Sequence, residues 1–597
     1  MDRRILLQSA AAISFAPLAA LRAQPISRIR PGQPGWPTVA QWVELSQAVG
    51  GRLIEPKALL GSCIESPGSD ACKDTLRHLS NPYFLGDQVS GTQVSGWYNA
   101  WAPAPSAKAV AARNAEDVQA AVNFARKHNL RLVIKGGGHS YQGTSNAADS
   151  LLIWTRPMRE VSVHDAFIPT GGKGRDQPLP AVSVGAGAVW LDVYDAVTTR
   201  AGRYVQGGGC TTVGVAGHVQ SGGFGSFSKT FGTAAGSLIE AEVVTADGAI
   251  RVVNAHRDPD LYWALKGGGG GGFGVVTRLT LRTHPLPEFF GGVDGKLKGR
   301  TPEAFRALVA RFVRFYADAL SNHPWGEQVA IRPDQVMTIS LSTEGLSEDH
   351  IRQIWAPMIT WVSDPANQIE AAEPIDCWST HARGYWDVAG MRASGSKAMR
   401  YDDRPGIRPN QAWWTGDQEQ VGAFLHGYDS LWLPVSLLQS GNQARLVDAL
   451  VEGARAAPIQ LHFQKGLAGA PPQALDLARD TATNPAVLNA FALAIVANGG
   501  LPMYPGVPWK GPDPSVPKTD AEAVSRAMSP LYRVAPDGGS YVSESNFFNE
   551  RWQDAFWGRN YPRLQRVKHR YDPGGLFFTH HGVGSEAWSA DGFQQLI

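Results

Sequence analysis

The chain has 597 residues, enough for two or more domains and a large core. A net charge of +2 and a pI near 8.3 argue against a nucleic-acid partner or an anionic membrane surface. The 66 glycines point instead to many tight turns and close approaches of backbone to a ligand.

The chain begins MDRRILLQSAAAISFAPLAALRAQP. Arg3 and Arg4 precede an apolar run too short to span a bilayer. Residues 1–23 therefore read as a signal peptide of twin-arginine type, which predicts export to the periplasm or beyond. An ordinary secretory signal is the alternative. No later stretch is long and apolar enough to span. In an exported protein Cys63 and Cys72 tend to oxidise, though their pairing stays open. Cys210, in GGGCTTVGVAGH, is unusually placed for a structural thiol, and Cys377 has no obvious partner.

Residues 24–94 read as an irregular N-terminal extension with one helix near Gln41 to Val49. Residues 95–287 then form an α+β unit. Asn114 caps a helix whose apolar face is Val118, Ala121, Val122 and Ala125. The strand RLVIK follows and delivers the loop KGGGHSYQG at its end. LDVYDAVTTRAG is a predicted helix closed by Gly202, and IEAEVVTADGAIRVVN a hairpin turning at Asp247-Gly248. From residue 288 to 538, strands mixed with helices predict an antiparallel sheet covered by helices on one face. There Thr301 caps a helix with Pro302 at its first position. Residues 539–597 return with YVSESNFF, a helix around FWGRNYPRLQRVKHRYDP, and FFTHHGVGSE.

Three glycine-rich stretches, KGGGHS, SGGFGSFS and GGGGGGFG, offer backbone N–H groups unobstructed by side chains, as pyrophosphate requires. None is a G-x-G-x-x-G between strand and helix, and none ends in G-K-[ST]. In RLVIKGGGHSYQG, GGGCTTVGVAGHVQSGGFG, GGGGGGFGVVT and the closing NYPRLQRVKHRYDPGGLFF, the chain resembles the berberine-bridge-enzyme-like branch of the vanillyl-alcohol-oxidase flavoproteins. The resemblance covers roughly residues 95–287 and 540–580.

It implies a two-part FAD-binding domain of PCMH type joined to a substrate domain. It further implies FAD bonded twice, through His139 to the flavin 8α carbon and through Cys210 to flavin C6. An imidazole nitrogen and a thiolate are reasonable nucleophiles for an electron-poor ring. The cofactor-binding set it implies is Gly136, Gly137, Gly138, His139, Ser140 and Gly143 in the first loop. Cys210, Val213, Gly214, Gly217, His218, Gly222, Gly223 and Gly225 follow in the second, and Gly274, Val275 and Val276 in the third. The chain departs from the family at Thr211, where proline is frequent, and at Gly272, where asparagine is usual.

Hydride transfer to flavin requires a base for the substrate proton. Relatives use a Y-x-N-Y segment; here Tyr541 matches its first tyrosine and Glu544 stands at the later one. Tyr541, Glu544 and Tyr141 are the catalytic candidates. Against Glu544 stands its reading as a solvated strand residue. His218 is either substrate-facing or a supporting hydrogen-bonding group. His580 and His581, adjacent on an extended chain, would point to opposite sides and so are not expected to share a metal ion. Trp378, Trp386, Trp413, Trp414 and Trp432 read as packing residues or as stacking platforms. The expected activity is oxidation of an alcohol, sugar or secondary metabolite, with O₂ or another acceptor reoxidising the flavin. A flavin carrier without turnover is the alternative.

Overall fold

The computed structural model describes residues 26–506 and 515–596. The leader carrying Arg3 and Arg4 lies outside the described residues.

The fold is α+β, built on three main sheets, with a two-stranded ribbon of Met399–Tyr401 and Ala412–Trp414 beside them. The small sheet has the order Leu53–Ile54, Lys108–Ala111, Ser150–Trp154, Arg131–Lys135, with its last three strands parallel. Asn114 accepts from the Asp117 amide at 2.9 Å and so starts the helix Ala115–Lys127. The expected face of Val118, Ala121, Val122 and Ala125 is buried against Val110, Leu132, Leu151 and Ile153. The middle sheet is antiparallel, in the order Val161–Phe167, Leu179–Gly185, Val275–Pro285, Leu238–Val244, Ile250–Asn254. Its last pair is the expected hairpin, turning where Gly248 takes φ 81°. The predicted helix before Gly202 is α-helical over Trp190–Tyr194 and π-helical over Asp195–Arg200, and Gly202 ends it at φ 65°.

The large sheet has seven strands, all antiparallel: Ile369–His381, Phe289–Gly299, Val336–Glu344, Trp325–Ile331, Ile459–His462, Ala490–Gly500 and Phe424–Pro434. Helices Pro302–Phe315, Glu348–Ser363, Gln443–Ala454 and Ser515–Val534 bury one face in a core that includes Leu308, Phe312, Trp355, Leu450 and Leu531. Thr301 caps the first of these helices, accepting from the Ala304 amide at 3.2 Å. The opposite face carries Gln328, Ser340, Gln460 and His462 towards the rest of the molecule.

The N-terminal extension is more ordered than expected. Besides Val39–Ala48 it contains helices Gly61–Glu65, Asp70–His78 and Pro82–Asp87. Ser69 caps the second of these, and Asn81 the third, which has proline at its first position. Cys63 and Cys72 form a disulfide. The extension is bolted to the strand that carries the first glycine loop. Lys135, 1% exposed, donates through Nζ to the carbonyls of Gln88 at 2.6 Å, Val89 at 3.0 Å and Gly91 at 2.5 Å. Near the chain end, the Arg28 amide donates to Phe593 O at 2.8 Å, and its guanidinium lies over Trp588.

Candidate active site

A cleft of about 1320 Å³ runs between the small and middle sheets and opens onto the uncovered face of the large sheet. That exceeds the 300–1,000 Å³ typical of a single-ligand pocket, so a dinucleotide and a substrate can share it. Its walls are the glycine loops. Gly137 and Gly214 touch backbone to backbone: a Cβ on Gly137 would meet Gly214 N at 2.9 Å, and one on Gly214 would meet Gly137 N at 3.0 Å. Gly225 lies so close to Gly207 O that no side chain fits.

His139 sits where the first loop faces the second, its Nε2 3.2 Å from Thr212 Oγ1. Burial, aided by the Arg156 guanidinium, pushes its pKa down to about 3, so the ring is neutral and its nitrogen lone pair available. Cys210 lines the same cleft and donates its thiol to Asp417 Oδ1 at 3.4 Å. Burial, with the Asp417 charge adding, raises the thiol well above its ordinary range. Asp417 itself is pushed up to about 6 by burial.

Ser140, Val213, Gly217, His218, Gly274 and Val276 also face the cleft, as do Gly136 and Gly138. His218 Nε2 donates to Phe224 O at 3.1 Å, and burial lowers its pKa to about 4. It therefore supports the second loop and leaves Nδ1 buried without a partner. Four of the expected residues lie off the wall. Gly143 packs under Trp101, Gly222 under Thr483, and Gly223 against His218 and Ala234. Val275 points into the small-sheet core.

The residues fit FAD. A Cβ on Gly217 would stand in open space within the cleft. Among the residues lining the cleft, Gln220 Oε1 and His581 Nδ1 are buried without hydrogen-bond partners, as expected of groups built to meet a polar ligand. The His139 imidazole and the Cys210 thiol sit on opposite loops of this one cleft.

Tyr541 is 3% exposed, edge-on to Phe224 with ring centroids 5.0 Å apart. Its hydroxyl makes no hydrogen bond of good geometry, though Ser543 and the Gly223 backbone lie beside it. Burial, with Glu544 adding, holds that hydroxyl protonated. Glu544 is not on a strand; it follows a turn, with its amide donating to Tyr541 O at 2.9 Å. Its carboxylate receives a bond from Lys465 Nζ at 2.5 Å. Tyr141 donates to Gln420 Oε1 at 3.1 Å and packs on Tyr428. Tyr541, Glu544 and Tyr141 therefore line the same cleft, beside residues of the large sheet.

Sequence reasoning missed the residues that the large sheet contributes there. Glu327, in the strand Trp325–Ile331, accepts from Ser226 Oγ at 2.5 Å and Gln464 Nε2 at 2.9 Å. It holds φ 63°, a conformation costly for a residue with a side chain, and burial raises its pKa. Lys465 stands near both Glu327 and Glu544. None of these lies in a motif; only the fold gathers them. His580 and His581 bring a correction. His581 takes φ 50°, so the chain is not extended there and the two rings stack with centroids 3.9 Å apart. Phe547 and Trp552 continue the stack on either side. Of the five tryptophans, Trp386, Trp413 and Trp432 are buried, and Trp414 is half-buried on the cleft wall with Trp413 beside it.

Residues 106–254 match the FAD binding domain family, and residues 540–584 the berberine and berberine-like family. The VAO-type flavoprotein oxidase VAO615 of Thermothelomyces thermophilus is 28% identical, over 96% of this chain and 95% of its own. The crystal structure of the VAO-type flavoprotein MtVAO615 from Myceliophthora thermophila C1 superposes with a TM-score of 0.78 at 24% identity, covering 96% of this chain and 100% of that one. A glucooligosaccharide oxidase from Acremonium strictum, described as holding a 6-S-cysteinyl, 8α-N1-histidyl FAD, superposes with a TM-score of 0.62 at 20% identity, covering 86% and 98%. Cleft, glycine loops and matched domains together make this chain an FAD-dependent oxidoreductase, similar over nearly its whole length to VAO-type flavoproteins.

Proposed function

We propose that the chain is an exported oxidase that holds FAD by two covalent bonds, at His139 and Cys210, and oxidises a CH–OH carbon with Glu544 as proton acceptor. The observation that carries this reading is the meeting of a neutral His139, Cys210 and a carboxylate on one cleft. The Acremonium oxidase, with the same two kinds of tether, supports it by analogy. When bound, the flavin accepts the hydride; O₂ is the proposed terminal acceptor.

The protein's part is to orient the substrate and take its proton. Lys465 Nζ, 2.5 Å away, holds the Glu544 carboxylate in place. Tyr541 stays protonated and offers its hydroxyl to the substrate oxygen. Substrate contacts fall to the polar sheet face. His462 Nε2 donates to Gln460 Oε1 at 3.0 Å, leaving Nδ1 a buried acceptor without a partner, and Gln464 Oε1 is another. Such acceptors favour a substrate with several O–H or N–H donors.

Glu544→Gln tests the assignment. Substrate-dependent flavin bleaching should slow by about 10²–10³-fold with the flavin still attached. A change under about threefold would remove Glu544 from the chemistry. Peroxide release under air tests the acceptor, since a dehydrogenase would need a dye instead.

The Cys63–Cys72 disulfide supports export, as does the Arg3-Arg4 leader. Undiminished export of yellow protein after Arg3→Lys with Arg4→Lys would refute the twin-arginine route.

A further inference from the structure

Cys210 is a poor nucleophile as it stands. Burial keeps the thiol protonated, and only the thiolate attacks readily. Something must take its proton when it reacts. Among the described residues its hydrogen-bond partner is Asp417, 207 positions later in the chain, with Oδ1 3.4 Å from Sγ. The other oxygen, Oδ2, is buried and has no partner. Both residues line the cofactor cleft.

The turn Thr415–Gln420 that carries Asp417 is pinned from several sides. Thr415 N donates to Ala398 O at 2.8 Å, Trp413 Nε1 to Gln418 Oε1 at 3.0 Å, and Gln418 Nε2 to Ser80 O at 2.8 Å. Asp417 is thus held beside the sulfur by contacts from several separate segments. It is also distinct from Glu544, which Lys465 occupies.

We propose that Asp417 is the proton acceptor for Cys210 during formation of the sulfur–flavin bond. The inference rests on the two-tether reading above. The thiol proton passes to the Asp417 carboxylate as the sulfur lone pair forms the bond to flavin C6. The C6 hydrogen leaves as a proton, and the two electrons of its bond stay on the ring until O₂ takes them. Over the whole reaction the thiol hydrogen and the C6 hydrogen, with two electrons, pass to O₂, which departs as hydrogen peroxide. Asp417 gives up its proton, by way of solvent, as one of the two that the peroxide takes, and is unchanged. A carboxyl with a pKa near 6 is well matched to this role at neutral pH.

The test reads covalent attachment, not turnover. Full-length Asp417→Asn, Asp417→Ala, Asp417→Glu and Cys210→Ala proteins are purified under air beside wild type. They are then digested and the His139 and Cys210 peptides weighed, with free Cys210 counted by iodoacetamide. Wild type should carry flavin on both peptides. D417N and D417A should keep flavin on His139 while flavin on Cys210 falls at least tenfold, and D417E should restore most of it. Full Cys210 attachment in D417N and D417A would overturn the role of Asp417 and leave the two-tether reading standing. Loss of flavin from the His139 peptide as well, in all three Asp417 variants, would make Asp417 a cofactor-binding residue and overturn the proposal. A bare Cys210 peptide in wild type would overturn both readings.

Discussion

Tyr541 and Glu544 stand three residues apart yet sit in different electrostatic surroundings. Tyr541 is buried beside a carboxylate and stays protonated; Glu544 has an ammonium 2.5 Å away and lies on the cleft wall. A proton acceptor must be ionised at working pH, which argues against the buried tyrosine. The Tyr541 hydroxyl, buried without a bond of its own, is a cost to the free enzyme and is recovered when substrate arrives. Tyr541→Phe should therefore leave stability unchanged or raise it by up to about 1 kcal/mol, while flavin reduction slows about tenfold. Thermal melts and stopped-flow bleaching on the same preparation check both halves; a destabilised variant with unchanged reduction would contradict the assignment. At this scale the sequence was informative where a reacting group is set among glycines, as His139 and Cys210 are. It was silent about Asp417 and Lys465, whose partners lie 207 and 79 positions away.

Elements were legible wherever local chemistry decides them. Asn114 before an apolar 3.6-residue repeat, Thr301-Pro302, and Asp247-Gly248 between two β-rich runs each produced the element they imply. The helices at Asp70–His78 and Pro82–Asp87 carried equally good caps, Ser69 and Asn81, and were overlooked amid glycine and proline. His580 and His581 misled because the alternation rule assumes an extended chain, and His581 is left-handed.

A testable joint lies between the strand Phe424–Pro434 and the helix Ser515–Val534. Asp429, 5% exposed, accepts from Tyr532 Oη at 3.0 Å on each carboxylate oxygen and from the Ser430 amide at 2.8 Å. Burial outweighs these donors and pushes its pKa from 3.8 to about 6. The folded protein therefore binds this proton more tightly than the unfolded chain does. The stability so gained is full below about pH 4 and lost as pH rises through 6, amounting to about 3 kcal/mol at most. Asp429→Asn does not titrate. The Tm of D429N minus that of wild type should grow between pH 4 and 6.5 and then level off. A difference that is flat with pH, or that shrinks, would contradict this.

At the scale of the whole molecule, three sheets and an N-terminal strap converge on one cleft. Lys135 ties the strap to the first glycine loop, Ser226 and Glu327 tie the second loop to the large sheet, and Arg28 ties the start of the described chain to its end. The fold class could be read from the glycine loops and the strand content. The substrate end could not, because strands of the large sheet supply it and their polar face has no fixed spacing in sequence. The central claim is that this assembly fastens FAD at both His139 and Cys210. The most direct measurement is peptide mass, with an absorption spectrum, on purified and acid-denatured wild-type protein. The account predicts yellow denatured protein with FAD mass on both peptides. Colourless protein with both peptides unmodified would contradict it.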